Sequence, residues 1–540
     1  MLVVAVLYAL ALGVLLVYGL NHLALAWRFA REEGRRAAPP PRSPRTVWPT
    51  ITVQLPLYNE RAVAERLIDA CARFEYPAGR FDIQVLDDST DVTRDLVARR
   101  VAYWQDRGVR IQHHHRIDRS GFKAGALAEG LKTAAGEYVA IFDADFVPPP
   151  DVLMRLLDGF RQDGVDEPQI GLVQARWGHL NAEASWLTRA QALLLDAHFV
   201  VEQGVRSASG WLINFNGTAG LWRRACIDEA GGWRAATLTE DLDLSIRAQL
   251  AGWRLRYVGA IEVAAELPET FAAWRQQQFR WTKGTAETAK LLAGPVCRAP
   301  LSRAAKTEAL LHLTSGVVYP AILLAALTHP LVLVAHALDQ GVSDAVLALM
   351  APGVLGLAGV AAAHLLAQHA LYPDALRRML AFPLFLASTL GLAVSNTRGV
   401  LEALRGRTSA FVRTPKQGDS APVRALAGST LADSASGDGA SGDGASSDRS
   451  ALPAPITSRR RIRVRWTEAT LAVYSSLGLM AILATGVYAA LPFQVLFALG
   501  FGMAAFSERA PRVAEVHTAE VEVPRMVWTP TSRTSTKALA

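Results

Sequence analysis

The first 27 residues, Met1 to Trp27, contain no Asp, Glu, Lys or Arg. A helix needs about 20 apolar residues to cross a bilayer, so this run is long enough to span one. A secretory signal would begin with a basic residue and carry a shorter apolar core and a small-residue cleavage site. Here the basic residues, Arg28, Arg31, Arg35 and Arg36, come after the run. Lys and Arg collect on the cytoplasmic side of membrane helices. The expectation is a transmembrane helix over 1–27 that starts outside and delivers the next region to the cytoplasm.

Further apolar runs cover Ala309–Leu338, Val342–Tyr372, Met379–Ser395, Ala469–Tyr488 and Leu491–Phe506. They predict transmembrane or interfacial helices over 301–398 and a C-terminal transmembrane hairpin over 466–507. Hydrophobic residues make up 51% of the chain and charged residues 19%, which fits a multi-pass protein of the cell membrane lying in a lipid bilayer. The formal charge of +7 raises the possibility of a nucleic-acid partner. The arginines, however, cluster beside apolar runs, in "RFAREEGRR" (Arg28–Arg36) and "RRRIRVR" (Arg459–Arg465). That placement reads as membrane flanks, and no nucleic acid is expected. Cys71, Cys226 and Cys297 have neither pairing nor metal-ligand spacing.

Residues 48–300 differ in character. "TITVQLPLYN", "DIQVLDDS", "VRIQHHHR" and "EYVAIFDAD" read as strands, and Glu60–Phe74 and Thr93–Asp106 between them read as amphipathic helices. This alternation predicts an α/β domain with a mostly parallel sheet and helices on both faces. Ligands of such sheets lie outside the carboxyl ends of the strands, where "YNE", "DDSTD" and "DAD" all fall. Beyond it, "SASGDGASGDGASSD" (Ser434–Asp448) cannot bury apolar area, so 417–458 is expected to be a disordered linker. A disordered tail is expected over 508–540. If all three middle runs span, the basic stretch 400–416 falls outside the cell. One run is therefore expected to be interfacial or re-entrant, or Ala309–Leu338 to be broken.

Several residues suit chemistry. Asp143 and Asp145, one residue apart, point the same way from an extended chain, and Mg²⁺ takes one or two carboxylates plus substrate phosphates. Alone, such a pair is more often a solvated strand end. Asp87 and Asp88 close an earlier strand and suit the base and ribose of a nucleotide. Asp241, at a helix start in "TEDLDLS", is either a cap or, in a cleft, a general base. Lys123, among small residues at another helix start, suits a phosphate or is an ordinary surface lysine. Arg280 and Trp281 in "QQQFRWTKG" suit diphosphate binding and sugar stacking, though an Arg-Trp pair is more often surface packing. "FNGTAGLWR" (Phe215–Arg223) is a Gly-rich turn or a sugar-contacting loop. His113–His115 tempt as a metal cluster, but strand alternation sends His114 to the other face, and all three are read as structural.

Together these motifs resemble the family 2 processive glycosyltransferases of the cellulose synthase superfamily. The order D-D, D-x-D, T-E-D, Q-x-x-R-W appears as Asp87-Asp88, Asp143-Ala144-Asp145, Thr239-Glu240-Asp241 and Gln277-Gln278-Phe279-Arg280-Trp281. "LDDSTD", "GFKAGAL", "AIFDADF", "VQARW", "FNGTAG" and "ELPETF" are similar to the cellulose synthase-like A and C groups, which make β-1,4-linked mannan, glucomannan or glucan backbones. The resemblance covers about 48–416 and implies a cytoplasmic GT-A fold domain over 48–300. It implies Asp87, Asp88, Lys123, Asp143 and Arg280 at the donor nucleotide, with Mg²⁺ or Mn²⁺ on Asp143 and Asp145. Asp241 would deprotonate the acceptor. Glu240, Gln277, Trp281, Phe215, Asn216 and Gly217 would line the acceptor side. Over 399–416 an amphipathic helix would lead to a gating loop, in which Phe411, Thr414 and Lys416 resemble the F-x-V-T-x-K motif, with Arg413 in place of the valine.

The implied activity is inverting transfer of a hexose from UDP-glucose or GDP-mannose to a growing β-linked polysaccharide, together with its export. Two other readings stay open. One is a non-processive transferase acting on a membrane lipid. The other is a transporter or scaffold with an inactive domain, which the full set of carboxylates disfavours.

Overall fold

Alternation along Ile51–Leu57 fixes both faces of the central sheet. In this computed structural model, which describes residues 1–31, 45–162, 164–338, 350–409 and 464–506, Ile51, Val53, Leu55 and Leu57 enter one core. Thr52 and Gln54 point the opposite way. They are buried, so they need partners: the Thr52 hydroxyl donates to Asp82 (3.1 Å) and Gln54 Nε2 to Gln84 Oε1 (3.0 Å).

The strands are β1 (Ile51–Leu57), β2 (Phe81–Asp87), β3 (Ile111–His115), β4 (Tyr138–Ile141), β5 (Phe146–Val147), β6 (Arg161–Gln162), β7 (Val165–Asp166), β8 (Ile170–His179), β9 (Gly220–Arg223) and β10 (Arg254–Ala265). Eight form one sheet in the order β3-β2-β1-β4-β9-β8-β10-β5, and β6 and β7 make a separate hairpin. The strands β3, β2, β1 and β4 run parallel, as do β8 and β10. The mostly parallel sheet expected from the sequence is present, with β9 and β5 as antiparallel members.

Helices cover both faces. Leu67 and Ile68, Val97 and Val101, and Leu153 and Leu156 come from three helices, Ala64–Ala72, Thr93–Gln105 and Val152–Asp158, that pack on the β1 core. Leu127, Ile227 and Leu244 come from Phe122–Thr133, Arg224–Glu229 and Glu240–Leu250 on the opposite core. The first of these helices starts at Ala64, four residues later than the amphipathic pattern suggests, because Glu60 and the residues after it form the turn beyond β1. Phe142 anchors the strand end that matters most: its ring is fully buried, 5.7 Å from Phe74, and immediately precedes Asp143. Truncating such a residue costs about 3–5 kcal/mol, so the carboxylate after it rests on a rigid base.

Among the described residues, four helices are long and apolar enough to cross a membrane: Leu2–Arg31, Ser315–Ala337, Gly353–Leu371 and Trp466–Ala484. A fifth candidate is the pair Ala375–Gly391 and Ala393–Leu404, bent by 46°. The run Ala309–Leu338 is broken at Thr314, one of the outcomes anticipated for it. Its first part belongs to Arg303–Leu313, which packs through Ala309 and Leu313 on Leu242 and Ile246 of the α/β domain. Residues 466–506 pair Trp466–Thr485 with Leu491–Ala505, and the Arg465 N–H donates to the Ala505 carbonyl (3.0 Å). The amphipathic helix expected from 399 begins earlier, at Ala393, and buries Asn396, Gly399, Val400 and Ala403. Phe411, Thr414 and Lys416, the 417–458 linker and the 508–540 tail lie outside the described residues.

Candidate active site

The carboxyl ends of β1, β2 and β4 carry Tyr58-Asn59-Glu60, Asp87-Asp88 and Asp143-Ala144-Asp145. Asn59, held at a φ of 54°, laces the first two together: its N–H donates to Ser89 Oγ, and its Oδ1 accepts from the Thr90 N–H (both 2.8 Å). Asp87 is fully buried and lies 2.9 Å from His113 Nε2, while the Ser89 N–H donates to it at 2.8 Å. Burial pushes this carboxyl up, but the bonds from His113 and Ser89 outweigh it and hold the group below its ordinary range. Asp88 receives both arms of Arg116, at 2.8 and 2.6 Å. His115 Nε2 meets the Ser89 carbonyl at 3.0 Å. His113 and His115 therefore support the Asp87–Ser89 loop, in keeping with their structural reading, and His114 faces the other way, onto Gln112.

A second group forms around Lys123. Its Nζ lies 2.6 Å from Asp143 Oδ1 and 3.9 Å from Glu240 Oε1, and donates to the Gly217 carbonyl at 2.9 Å. Glu240 and Asp241 occupy the first turn of Glu240–Leu250, where the helix dipole favours negative charge. The Leu242 N–H donates to Asp241 Oδ1 (2.8 Å). Gly217 has a φ of 81°, and a Cβ placed there would sit 3.0 Å from Asp241 Oδ2 and 3.3 Å from Lys123 Nζ. Only glycine lets the loop pass so close.

Desolvation, then the neighbouring Glu240, raises the Asp241 carboxyl to about 7, with Lys123 pulling in the other direction. Glu240 is also raised by burial, again against Lys123. Burial lowers Lys123, yet Asp143, Glu240 and Asp241 together raise it above its ordinary value. Arg280 is drawn down to about 10 by burial, opposed by Glu240, Asp143, Glu60 and Asp145. It stays protonated at neutral pH, under the influence of carboxylates from the turns after β1 and β4 and from the first turn of Glu240–Leu250.

Gln277, Arg280 and Trp281 share one face of the Phe271–Arg298 helix by their i, i+3, i+4 spacing. The Trp281 ring lies 6.3 Å from Trp177, which packs in turn on Phe146 (5.3 Å) and Phe199 (5.2 Å). The structure removes one residue from the acceptor-side set: Phe215 is fully buried against Trp222 and Trp233, so its ring props the loop from behind. Asn216 and Gly217 remain at the site's edge. Three supports escaped the sequence reading: Arg116, Gln174 and Thr218. The Asn216 N–H donates to Gln174 Oε1, Gln174 Nε2 donates to the Thr218 carbonyl (both 3.1 Å), and the Asp143 N–H donates to Thr218 Oγ1 (2.9 Å). A glutamine inside the apolar strand "IGLVQARW" was the available signal, since a buried amide must find partners.

Residues 49–284 match the family model described as glycosyltransferase like family 2. They are a family 2 glycosyltransferase domain. Glucomannan 4-beta-mannosyltransferase 9 of Arabidopsis thaliana is 44% identical over 252 residues, 46% of each chain. A probable glucomannan 4-beta-mannosyltransferase 9 of Oryza sativa subsp. japonica is 47% identical over 243 residues, 44% of this chain and 45% of its own. The chain thus spans about half the length of the curated relatives it matches. Among solved structures, mannosyltransferase PcManGT from Pyrobaculum calidifontis, in complex with GDP-Man and Mn2+, aligns with a TM-score of 0.50 at 19% identity, covering 74% of this chain and all of that one. The likeness carries the fold, which is GT-A.

The glycosyltransferase domain thus brings one near-neutral carboxylate, two cations and a pair of strand-end carboxylates to one cleft. Asp143 and Asp145 are hard oxygen donors, and no group of three or more His, Cys, Asp or Glu among the described residues is arranged to hold a metal. Such a donor set fits a hard divalent ion that completes its shell with substrate phosphate and water. It does not fit a site closed by protein ligands.

Proposed function

We propose that the chain is a membrane-embedded, inverting hexosyltransferase that extends a β-1,4-linked mannan-type polysaccharide from GDP-mannose, with its catalytic domain in the cytoplasm. Asp241 carries the reading: a carboxyl held near 7, beside Lys123 and Gly217, is matched to take a proton from an alcohol at neutral pH. The sugar and the linkage are supported by relatives named for glucomannan 4-beta-mannosyl transfer, 44% identical over 252 residues and 47% over 243.

The acceptor hydroxyl passes its proton to Asp241 as its oxygen forms a bond to the anomeric carbon. The bond from that carbon to the diphosphate oxygen breaks, and the nucleoside diphosphate leaves with the electron pair. One displacement inverts the anomeric centre. Lys123 and Arg280 face the negative charge that develops on the leaving group. A divalent ion held by Asp143 and Asp145 would supply further charge stabilisation there. Trp281, backed by Trp177, offers an aromatic face to a sugar ring.

Asp241→Asn keeps the shape of the site and removes the base. Transfer is expected to fall by about 10²–10⁴-fold, with binding of GDP in the presence of Mn²⁺ unchanged. Activity of that variant within twofold of wild type would remove Asp241 from the mechanism.

A further inference from the structure

Between the cleft and the first membrane helix lies a polar network that the proposed chemistry does not use. Its core is a π-helix, Ala197–Gln203, continuous with Trp186–Asp196 before it and Gly204–Ala208 after it. Seven residues of π-helix are unusual, and such segments concentrate at functional sites. This one carries His198, Glu202 and Gln203, as well as Phe199, which backs the Trp177–Trp281 platform.

The direction of each hydrogen bond follows from a single fixed acceptor. The Asn214 carbonyl can only accept, so Gln203 approaches it with Nε2 (2.7 Å). The same Nε2 donates to Asn216 Oδ1 (3.0 Å), which turns Asn216 Nδ2 towards His198 Nε2 (3.1 Å). His198 Nε2 must then accept, so the ring proton sits on Nδ1, which faces Glu202 Oε2 at 3.2 Å. Glu202 also receives Arg206 (3.1 Å), itself tied to buried Glu308 (2.8 Å), and its other oxygen lies 3.4 Å from His22 Nε2 on Leu2–Arg31. Burial pushes the Glu202 carboxyl up, but His198, His22 and Arg206 together hold it well below the usual carboxylate range. It therefore remains an acceptor at any working pH. The side chains of His22, Glu202 and His198 keep 27%, 18% and 19% of their surface accessible, so the network is not sealed inside a core.

We infer that the chain Asn214–Gln203–Asn216–His198–Glu202–His22 is a positioning relay. It sets the Asn216 amide on the acceptor side of the transferase site and ties that setting to the first membrane helix. Asn216 spends one N–H on His198 and one oxygen lone pair on Gln203, and one of each is left for sugar hydroxyls. Gly217, the next residue, touches the Lys123–Asp241 group. A displaced Asn216 would thus disturb how the acceptor sits, while the nucleotide-side contacts at Asp87 and Asp88 stay in place. The acceptor assignment rests on the proposed function.

The test uses the full chain in lipid nanodiscs with His198→Leu, His198→Gln and Glu202→Gln. Gln can place an acceptor oxygen where His198 Nε2 lies, and Leu cannot. His198→Leu and Glu202→Gln are expected to raise the KM for β-1,4-mannotetraose about tenfold, in line with the loss of a hydrogen bond to a charged or polarised group. The kcat and the affinity for GDP should change less than twofold, and His198→Gln should restore the KM. Hydrogen exchange of the 212–219 backbone supplies a readout independent of the sugar: it should quicken in His198→Leu and in His22→Asn, but not in His198→Gln. If wild type leaves mannotetraose untouched while the exchange pattern appears, the substrate reading falls and the relay stands. If His198→Gln is as damaged as His198→Leu in either readout, or GDP affinity drops along with acceptor binding, the relay is wrong.

Discussion

At the scale of single residues, the cleft is organised by the partners that each of its carboxylates meets. Asp87 and Asp88 have basic partners at 2.9 Å or closer, while Asp241 sits with Glu240 and is raised to about 7 from an ordinary 3.8. A base must be ionised to act, so kcat/KM should rise with pH through about 7 and level off above it. Lys123 lowers both Asp241 and Glu240. Removing that cation in Lys123→Met should move the midpoint of the profile to higher pH, as well as lowering the plateau. A pH–rate series on the two proteins checks this, and an unmoved midpoint would mean that another group titrates. Asp241 was legible in the sequence as a candidate from its place at a helix start among other carboxylates. Its near-neutral carboxyl was not, because that depends first on burial and then on Glu240, against Lys123, which comes from a helix 118 residues earlier.

At the scale of elements, β1, β2 and β4 could be read because carboxylates follow each of their apolar runs, and the register of Leu57 with Asp87 and of Asp87 with His115 brings the strand ends level. What the sequence concealed was orientation. Phe215 looked available for a sugar, yet it belongs to the core that Trp222 and Trp233 complete. The π-helix has no signature of its own, since the ties from His198 to Asn216 and from Glu202 to His22 cross chain separations that periodicity does not report. A similar hidden tie is Lys283, two residues past Trp281. Its fully buried Nζ donates to the Arg407 carbonyl (2.6 Å) and to the Ser409 hydroxyl, and lies 3.3 Å from Glu402. This clamps the helix bearing Arg280 to Ala393–Leu404. Lys283→Met should destabilise the protein by about 1–3 kcal/mol, the cost of leaving buried acceptors unpaired. Adding Glu402→Gln should cost less than the sum of the single changes. Thermal unfolding of the three variants in detergent measures the coupling, and strict additivity would show that the clamp carries none.

At the scale of the whole molecule, the transferase cleft is held against membrane-suited helices by contacts that run from Leu2–Arg31 to the π-helix and from Arg303–Leu313 to the helix of Asp241. The apolar runs disclosed those helices. A break within Ala309–Leu338 was among the alternatives the charge pattern left open, but its place at Thr314 and the 46° bend before Ala393 were not readable. This arrangement suits a chain that builds a polymer beside the bilayer. The decisive measurement offers the full chain, in lipid nanodiscs with Mn²⁺, radiolabelled GDP-mannose or UDP-glucose, and then digests the product. Label should pass from GDP-mannose into a polymer that β-mannanase degrades and cellulase does not. Label passing from UDP-glucose into a cellulase-sensitive polymer, or only into an extractable lipid, would contradict the proposed function.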